Sequence, residues 1–327
     1  MGATGAPATA APTAQPVSFA GQTITVIVGY DPGGGFDSTA RLVAKYIGKH
    51  LPGNPQAIVQ NMPGAASLVA ATHLYNSAPK DGTVIATFNS QIATTQATGE
   101  PLQVDMRKFS WLGASFASTD VCVVRSDSAI KAFRDIVGAA TPVKMSATSL
   151  SDNTGGTPAM LQATTGANFQ IITGYKGSND ARLGVDRNEV TGICQSWESL
   201  RSSAQVTSKA VKVIVQNAAK RHPELPDVPL ADEFTKDEAG KQLLRLYRAP
   251  REFDKPFAAP PGVPAARLKA LRDALSATYA DAEFVADAKK QKIDLAPLTA
   301  AQVEKLINDV LATPPDVIKR FKEILKL

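Results

Sequence analysis

Short apolar runs rich in β-branched residues recur along the chain, each followed by a small polar or glycine loop and then by apolar positions three and four apart. The runs are ITVIV (24–28), AIVQ (57–60), TVIATF (83–88), VCVV (121–124), VKMSA (143–147), FQIITGY (169–175), VTGIC (190–194) and VKVIVQ (211–216). Strands alternating with helices predict βαβ units, right-handed crossovers and largely parallel sheets, hence an α/β fold with doubly wound halves. The first helix is written by Ala40, Val43, Ala44, Ile47 and Leu51, with Arg41, Lys45 and Lys49 on its other face, and it ends at Leu51-Pro52-Gly53. Near the C-terminus, Leu268, Leu271, Leu275 and Tyr279 form another stripe. Thr299 and Gln302 fit a capping box ahead of Val303, Leu306, Ile307 and Val310. Pro314-Pro315 stops that helix, and a last short one carries Phe321 and Leu325.

A chain of 327 residues suits two domains of roughly 100–200 residues each. Polar breaks fall at 114–120 and at 217–235, the second rich in proline. If the chain crosses between lobes at both, residues 22–120 with 235–327 form one discontinuous lobe and 121–234 the other, joined by a hinge that serves closure around a ligand. The first 21 residues, rich in Ala, Pro and Thr and lacking charge, read as a disordered lead-in. They form no signal peptide, although a chain whose export signal had been removed would begin in this way.

Composition changes this picture little. Hydrophobic residues at 44% and charged residues at 20% are ordinary for a globular protein. The net charge of +5 is spread among interleaved acids, which argues for solubility and mild anion steering and against nucleic-acid binding. No stretch reaches the roughly eighteen apolar residues of a membrane helix. Cys122 and Cys194 both lie in apolar runs and in no metal-ligand pattern; they read as two buried free thiols, with a disulfide as the alternative in an oxidising compartment. His50, His73 and His222 are scattered, so neither a metal site nor a histidine base is expected.

In open α/β sheets ligands bind beyond the carboxyl ends of the strands, where loops feed helix N-termini. Here those loops are Tyr30 to Ser38, Asn61 to Ser67, Phe88 to Ser90, Thr148 to Thr157, Tyr175 to Asn179 and Gln195 to Trp197, and arginine is absent from all of them. Gly33, Gly34 and Gly35 leave amides unshielded at the positive end of a helix, which suits an anion, although a tight turn would look the same. Amides and hydroxyls from two facing lobes can hold a carboxylate without a formal counter-charge. Phosphate motifs fail: Gly35 is followed by Phe36-Asp37 where a P-loop needs Gly-Lys-Ser/Thr, and Gly33, Gly35 and Ser38 miss the last glycine of a dinucleotide fingerprint. Asp37, Asp152 and Asp180 each suit a structural role at a helix start. No catalytic constellation and no cofactor site emerge.

At these loops the sequence resembles the Bug family, the substrate-binding proteins of tripartite tricarboxylate transporters. The resembling blocks run from ITVIVGYDPGGGFDSTARLVAKYIGKHLPGNPQAIVQNMPGAASLVAATHLYNSAPKDGTVIATFN through FQIITGYKGSND and EVTGICQSWESL to APPGVPAARLKAL, and they span nearly the whole chain from about residue 22. The resemblance implies a periplasmic Venus flytrap, monomeric and non-enzymatic, that takes a small carboxylate and delivers it to the transporter's membrane permease subunits. It points to Gly34, Gly35, Phe36 and Asp37 in the first loop, Gly64, Ala65 and Ser67 in the second and Asn89 and Ser90 in the third. From the opposite lobe it points to Gly177 and Ser178. Ser149 and Thr154 stand where many relatives have a glycine-rich loop, and Ser196 and Trp197 follow a strand whose end faces the cleft; Trp197 reads equally as a core tryptophan. Two rivals remain: a nucleotide-cofactor-dependent α/β enzyme using the glycine loop, and a periplasmic sensor subunit built on the same lobes.

Overall fold

A computed structural model describes residues 17–150 and 152–327 of the chain. Along the chain, β1 (Thr23–Val28), α1 (Gly35–His50), β2 (Gln56–Asn61), α2 (Leu68–Asn76), β3 (Val84–Thr87), α3 (Ile92–Ala97) and β4 (Ser110–Phe116) come first. They are followed by β5 (Asp120–Arg125), β6 (Val143–Ser146), α4 (Asn153–Thr165), β7 (Phe169–Ile172), α5 (Ser178–Asp186), β8 (Gly192–Ser196), α6 (Trp197–Leu200), α7 (Ala204–Thr207) and β9 (Val211–Asn217). The chain closes with α8 (Glu238–Glu252), β10 (Asp254–Ala259), α9 (Ala265–Ala280), α10 (Ala282–Lys290), β11 (Leu298–Thr299), α11 (Ala300–Leu311) and α12 (Pro315–Leu325).

Two mixed sheets result, one per lobe of a periplasmic-binding-protein-like fold. The first has the order β11-β4-β10-β3-β1-β2 and the second β7-β6-β8-β5-β9. In the first, β1 runs parallel to β2 and β3, with Val28 opposite both Asn61 and Thr87, so these three strands end at one level. In the second, β6 runs parallel to β7 and β8. The sheets are less parallel than expected: β10 is antiparallel to β3 and β4, and β5 to β8 and β9. The antiparallel strands flank the points where the chain passes between sheets. Two of them escape the sequence pattern because Gly113 and Pro256 interrupt their apolar runs. The break expected from 114 is accordingly shorter, since β4 continues to Phe116.

Each face of the first sheet is buried, as βαβ packing requires. Ile24, Val26 and Val28 pack with Ile47, Leu271, Leu275 and Phe284 on one side. The alternate residue Ile27 points to the other side, among Leu74, Phe88, Phe109 and Trp111. That second cluster continues through Leu243, Leu244 and Leu246 of α8 to Met145, Met160 and Leu161 of the second lobe, so one apolar body runs between the sheets. Arg320 of α12 donates to the Ala163 carbonyl at 2.9 Å and ties the C-terminal helix to α4. The Thr299–Gln302 capping box forms as expected.

Two expectations are corrected. Of the lead-in assigned to residues 1–21, residues 1–16 lie outside the described residues, but Phe19 is fully buried. Its N–H donates to the Pro52 carbonyl at 2.8 Å, and the Arg267 guanidinium lies 4.7 Å from its ring. The cysteines are not two free thiols: Cys122 and Cys194 stand directly opposite each other on β5 and β8 and are joined as a disulfide. Their pairing follows from strand register, which the separate runs VCVV and VTGIC do not reveal.

The disulfide closes a loop of 72 residues, for which unfolded-chain entropy gives a stabilisation of about 4 kcal/mol. Urea unfolding with and without reductant checks this: the midpoint should fall by that equivalent on reduction, and an unmoved midpoint would contradict it.

Candidate ligand-binding site

The glycine loop after β1 is held by one carboxylate. Asp37, in the first turn of α1, is buried and accepts three hydrogen bonds: from the Gly33 N–H at 2.8 Å, Arg41 Nε at 2.9 Å and Asn61 Nδ2 at 2.9 Å. Arg41 foremost, with the Gly33 amide and Asn61, lowers its pKa to about 2. Asn61 Nδ2 also donates to the Tyr30 carbonyl at 2.9 Å, so the loops after β1 and β2 are joined. Asp37 therefore acts as the structural residue anticipated at a helix start, and its carboxylate faces its own loop. The loop it shapes leaves Gly33, Gly34 and Gly35 exposed. Gly34 caps α1 with extended backbone and no side-chain cap, while Gly33 carries the positive φ, 89°. Gly35, the other candidate for that conformation, does not have it.

The second loop stores strain. Gly64 has φ 134°, and Ala65, Ala66 and Ser67 follow at 45°, 50° and 73°. Each of these three non-glycine residues costs about 1 kcal/mol or more in that region. Ser67 is buried, and its Oγ accepts the Asn89 N–H at 2.7 Å, which ties in the third loop. Gly29 is required beneath it, since a Cβ there would come within 2.3 Å of Ser67 Cβ. Tyr30 stacks on the half-buried Phe36 with ring centroids 4.5 Å apart, and burial foremost raises its pKa. Ser90, by contrast, is buried and donates to the Pro250 carbonyl at 2.6 Å, so it anchors the end of α8.

In the second lobe the same device recurs. Asp180, in the first turn of α5, accepts the Lys176 N–H at 3.1 Å, as Asp37 accepts that of Gly33 four residues before it. Gly177 caps α5 without a side-chain cap, and Ser178 is its first residue. The α4 loop differs. Asp152 caps that helix, accepting the Thr154 and Gly155 amides, and the hydroxyls of Thr148, Ser149 and Thr154 all bond to it. Ser151 lies outside the described residues. Ser196 Oγ donates to Ser199 Oγ at 2.8 Å. Trp197 is a core residue: it packs with Val121, Ile193 and Leu200, and its indole N–H donates to Glu224 at 2.7 Å.

The loops of each lobe thus converge at the carboxyl ends of its parallel strands. Sequence reasoning missed three charged residues there. Asp120, fully buried at the start of β5, is bridged by Arg251 Nε at 2.7 Å from the end of α8. Lys255, at the start of β10, places its Nζ 3.7 Å from the Phe116 ring centroid and 5.7 Å from that of Phe36. The signal available was DKPFAA, a short strand masked by its proline. Separately, a groove of about 500 Å³ lined by Arg245, Arg248, Glu252, Lys305 and Asp309 lies between α8 and α11 and includes none of these loops. Among the described residues no group of three His, Cys, Asp or Glu is placed to hold a metal ion, and no helix is long and apolar enough to cross a membrane.

Because the folded pKa of Asp37 lies below its ordinary value of 3.8, its stabilisation is present above that value and is lost as pH falls through it towards about 2. With Arg41 half-exposed, the contribution is about 1–2 kcal/mol. Asp37→Asn should remove this acid dependence and lower stability at pH 7 by that amount. An acid titration of unfolding free energy identical to the parent's would contradict the role.

Residues 39–322 match the family described as "Tripartite tricarboxylate transporter family receptor". A UPF0065 protein from Agrobacterium vitis, placed in the TAR-I ttuE-ttuC' intergenic region, is 28% identical over 248 residues, or 73% of this chain and 69% of its own length. A TctC solute-binding protein from Polaromonas, solved without ligand, superposes with a TM-score of 0.75 at 18% identity over 94% of this chain and 99% of that one. MatC from Rhodopseudomonas palustris with bound malate gives 0.55 at 19% identity over 93% and 98%. With the family match covering most of the chain and the two-lobed fold shared throughout, this protein belongs to the tripartite tricarboxylate transporter receptor family, the TctC or Bug solute-binding proteins.

Proposed function

We propose that this chain is a periplasmic receptor that captures a small carboxylate between its lobes and delivers it to the membrane subunits of a tripartite transporter. One observation carries the reading. In both lobes a helix N-terminus at the cleft end of a parallel sheet is capped by glycine alone, Gly34 on α1 and Gly177 on α5. Amides at such ends carry partial positive charge and attract anions. The first-turn carboxylates of these helices, Asp37 and Asp180, are turned back onto their own loops, so they shape the site without contributing acceptors that would compete with an acid. Malate bound to MatC, which shares this fold, supports the ligand class.

Gly64, Ala65, Ser67 and Asn89 complete the wall of the first lobe in this reading, with Ser178 and Ser196 opposite. Ser149 and Thr154 act through Asp152 to hold the α4 loop. The lobes close about the crossing at 117–119 and the end of α8, where Ser118 N–H donates to the Arg251 carbonyl at 2.8 Å.

A thermal-shift panel of malate, adipate, citrate, benzoate and glutamate tests the class. An acid at a hundredfold over its Kd should stabilise the folded protein by about 2.7 kcal/mol, a rise of a few degrees. The same acid should contract the radius measured by small-angle scattering. No shift with any of them would sink the carboxylate reading.

The location is tested by a pair of valines. At Gly35 a Cβ would meet Lys255 Cε at 3.6 Å, an ordinary contact, so Gly35→Val should fold with stability within about 1 kcal/mol of the parent and bind the acid at least about tenfold more weakly, its methyls covering the amides. At Gly53 the φ is 91° and a Cβ would lie 2.4 Å from the Ala20 nitrogen, so Gly53→Val should cost about 2 kcal/mol or more and leave affinity alone. Calorimetry on both decides; unchanged binding by Gly35→Val would place the site elsewhere.

A further inference from the structure

The six cleft loops hold no arginine, yet the ammonium of Lys255 stands beside the glycine loop, supplied by a strand rather than a loop. Lys255 is the second residue of β10, whose Phe257 pairs with Thr87 at the end of β3. Because β10 runs antiparallel to β3, its first residues project past the carboxyl ends of the parallel strands, onto the level of the glycine loop. The backbone there is left-handed, with φ 51°. A glycine would adopt this conformation freely, and a lysine bears a conformational cost to put its side chain at this point.

That side chain is directed inward. Its exposure is 14%, and its Cε lies 3.6 Å from a Cβ built on Gly35, the first residue of α1. The Phe116 ring holds the ammonium on its face, with Phe36 beyond. An ammonium has three donors. Among the described residues its one hydrogen-bond acceptor is Asp254 Oδ2 at 3.3 Å, and aromatic faces do not take up the remaining donors as a carboxylate would. Burying most of a charge beside aromatic rings is costly unless a counter-charge completes it, and the positive end of α1 next to it repels any second cation.

We propose that Lys255 is the counter-charge of the site: its Nζ donates to one oxygen of the ligand carboxylate while the amides at Gly34 and Gly35 take the other. This deepens the carboxylate reading and rests on it. It also makes Lys255 a specificity-determining residue, since the ammonium discriminates an acid from the neutral ester of the same shape. Asp254 is its resident competitor, occupying the ammonium until the ligand arrives.

Calorimetry with malate, adipate, citrate and benzoate, each beside its methyl ester, tests this on three proteins. Lys255→Met keeps the stem against Phe116 and Phe36 and removes the charge. It should bind the acid about 10- to 100-fold more weakly, the range for loss of a charge-assisted hydrogen bond, while ester affinity stays as in the parent, so that the acid-to-ester ratio collapses. Asp254→Asn frees the ammonium and should tighten acid binding severalfold, which keeps the question decidable if the methionine variant fails to fold. Should the parent bind none of the acids, the functional reading falls and this proposal with it. If the parent binds an acid but either variant that folds leaves the acid-to-ester ratio unchanged, Lys255 is not the counter-charge and the proposal alone is overturned.

Discussion

Asp120 is fully buried, and its carboxylate is reached by Arg251 Nε at 2.7 Å, Asn153 Nδ2 at 3.2 Å and Thr157 Oγ1 at 3.3 Å. These partners come from the end of α8 and the first two turns of α4, so one charge pair joins the strand that enters the second lobe, the helix that leads back to the first and the helix behind the cleft. Removing Arg251 from this pair would cost about 3–5 kcal/mol, because the fully buried Asp120 is then stranded without water. A second carboxylate secures the same crossing: Glu198, its pKa raised chiefly by burial, accepts from Ser118 Oγ and the Thr119 amide. The lobes are thus fixed at one polar point and flanked by the apolar body that runs through α8.

Around that point the cleft is made with little formal charge. A small acid must be desolvated to bind, and a site of fixed amides offsets that loss only if the amides are already aimed. In the proposed site Asp37 and Asp180 do the aiming in their respective lobes, each bonding an amide four residues earlier. The left-handed run Ala65-Ala66-Ser67 does it for the second loop, at a cost met by the Ser67 bond to Asn89 and by packing on Gly29. Strain of this kind is stored where geometry has to be kept for a ligand.

The parallel strands, α1 and the C-terminal capping box were legible because period and cap chemistry are local properties of the sequence. β4 and β10 were hidden by Gly113 and Pro256, and with β10 went Lys255, the cation beside Gly35. Side-chain direction was the other limit. Ser90 and Trp197 lie beside the cleft in sequence, yet one turns to the Pro250 carbonyl and the other into the core of the second lobe. The disulfide was unreadable for the same reason as the Asp120–Arg251 pair: both join residues far apart in the chain through sheet register and helix packing.

Hydrogen exchange measured by mass spectrometry, with and without a bound acid, addresses the central claim most directly, because amides that bind a ligand lose contact with water. Protection concentrated in residues 33–38, 64–68 and 177–180 is the result this account predicts. Protection confined to residues 242–252 and 305–313, the groove between α8 and α11, would contradict it.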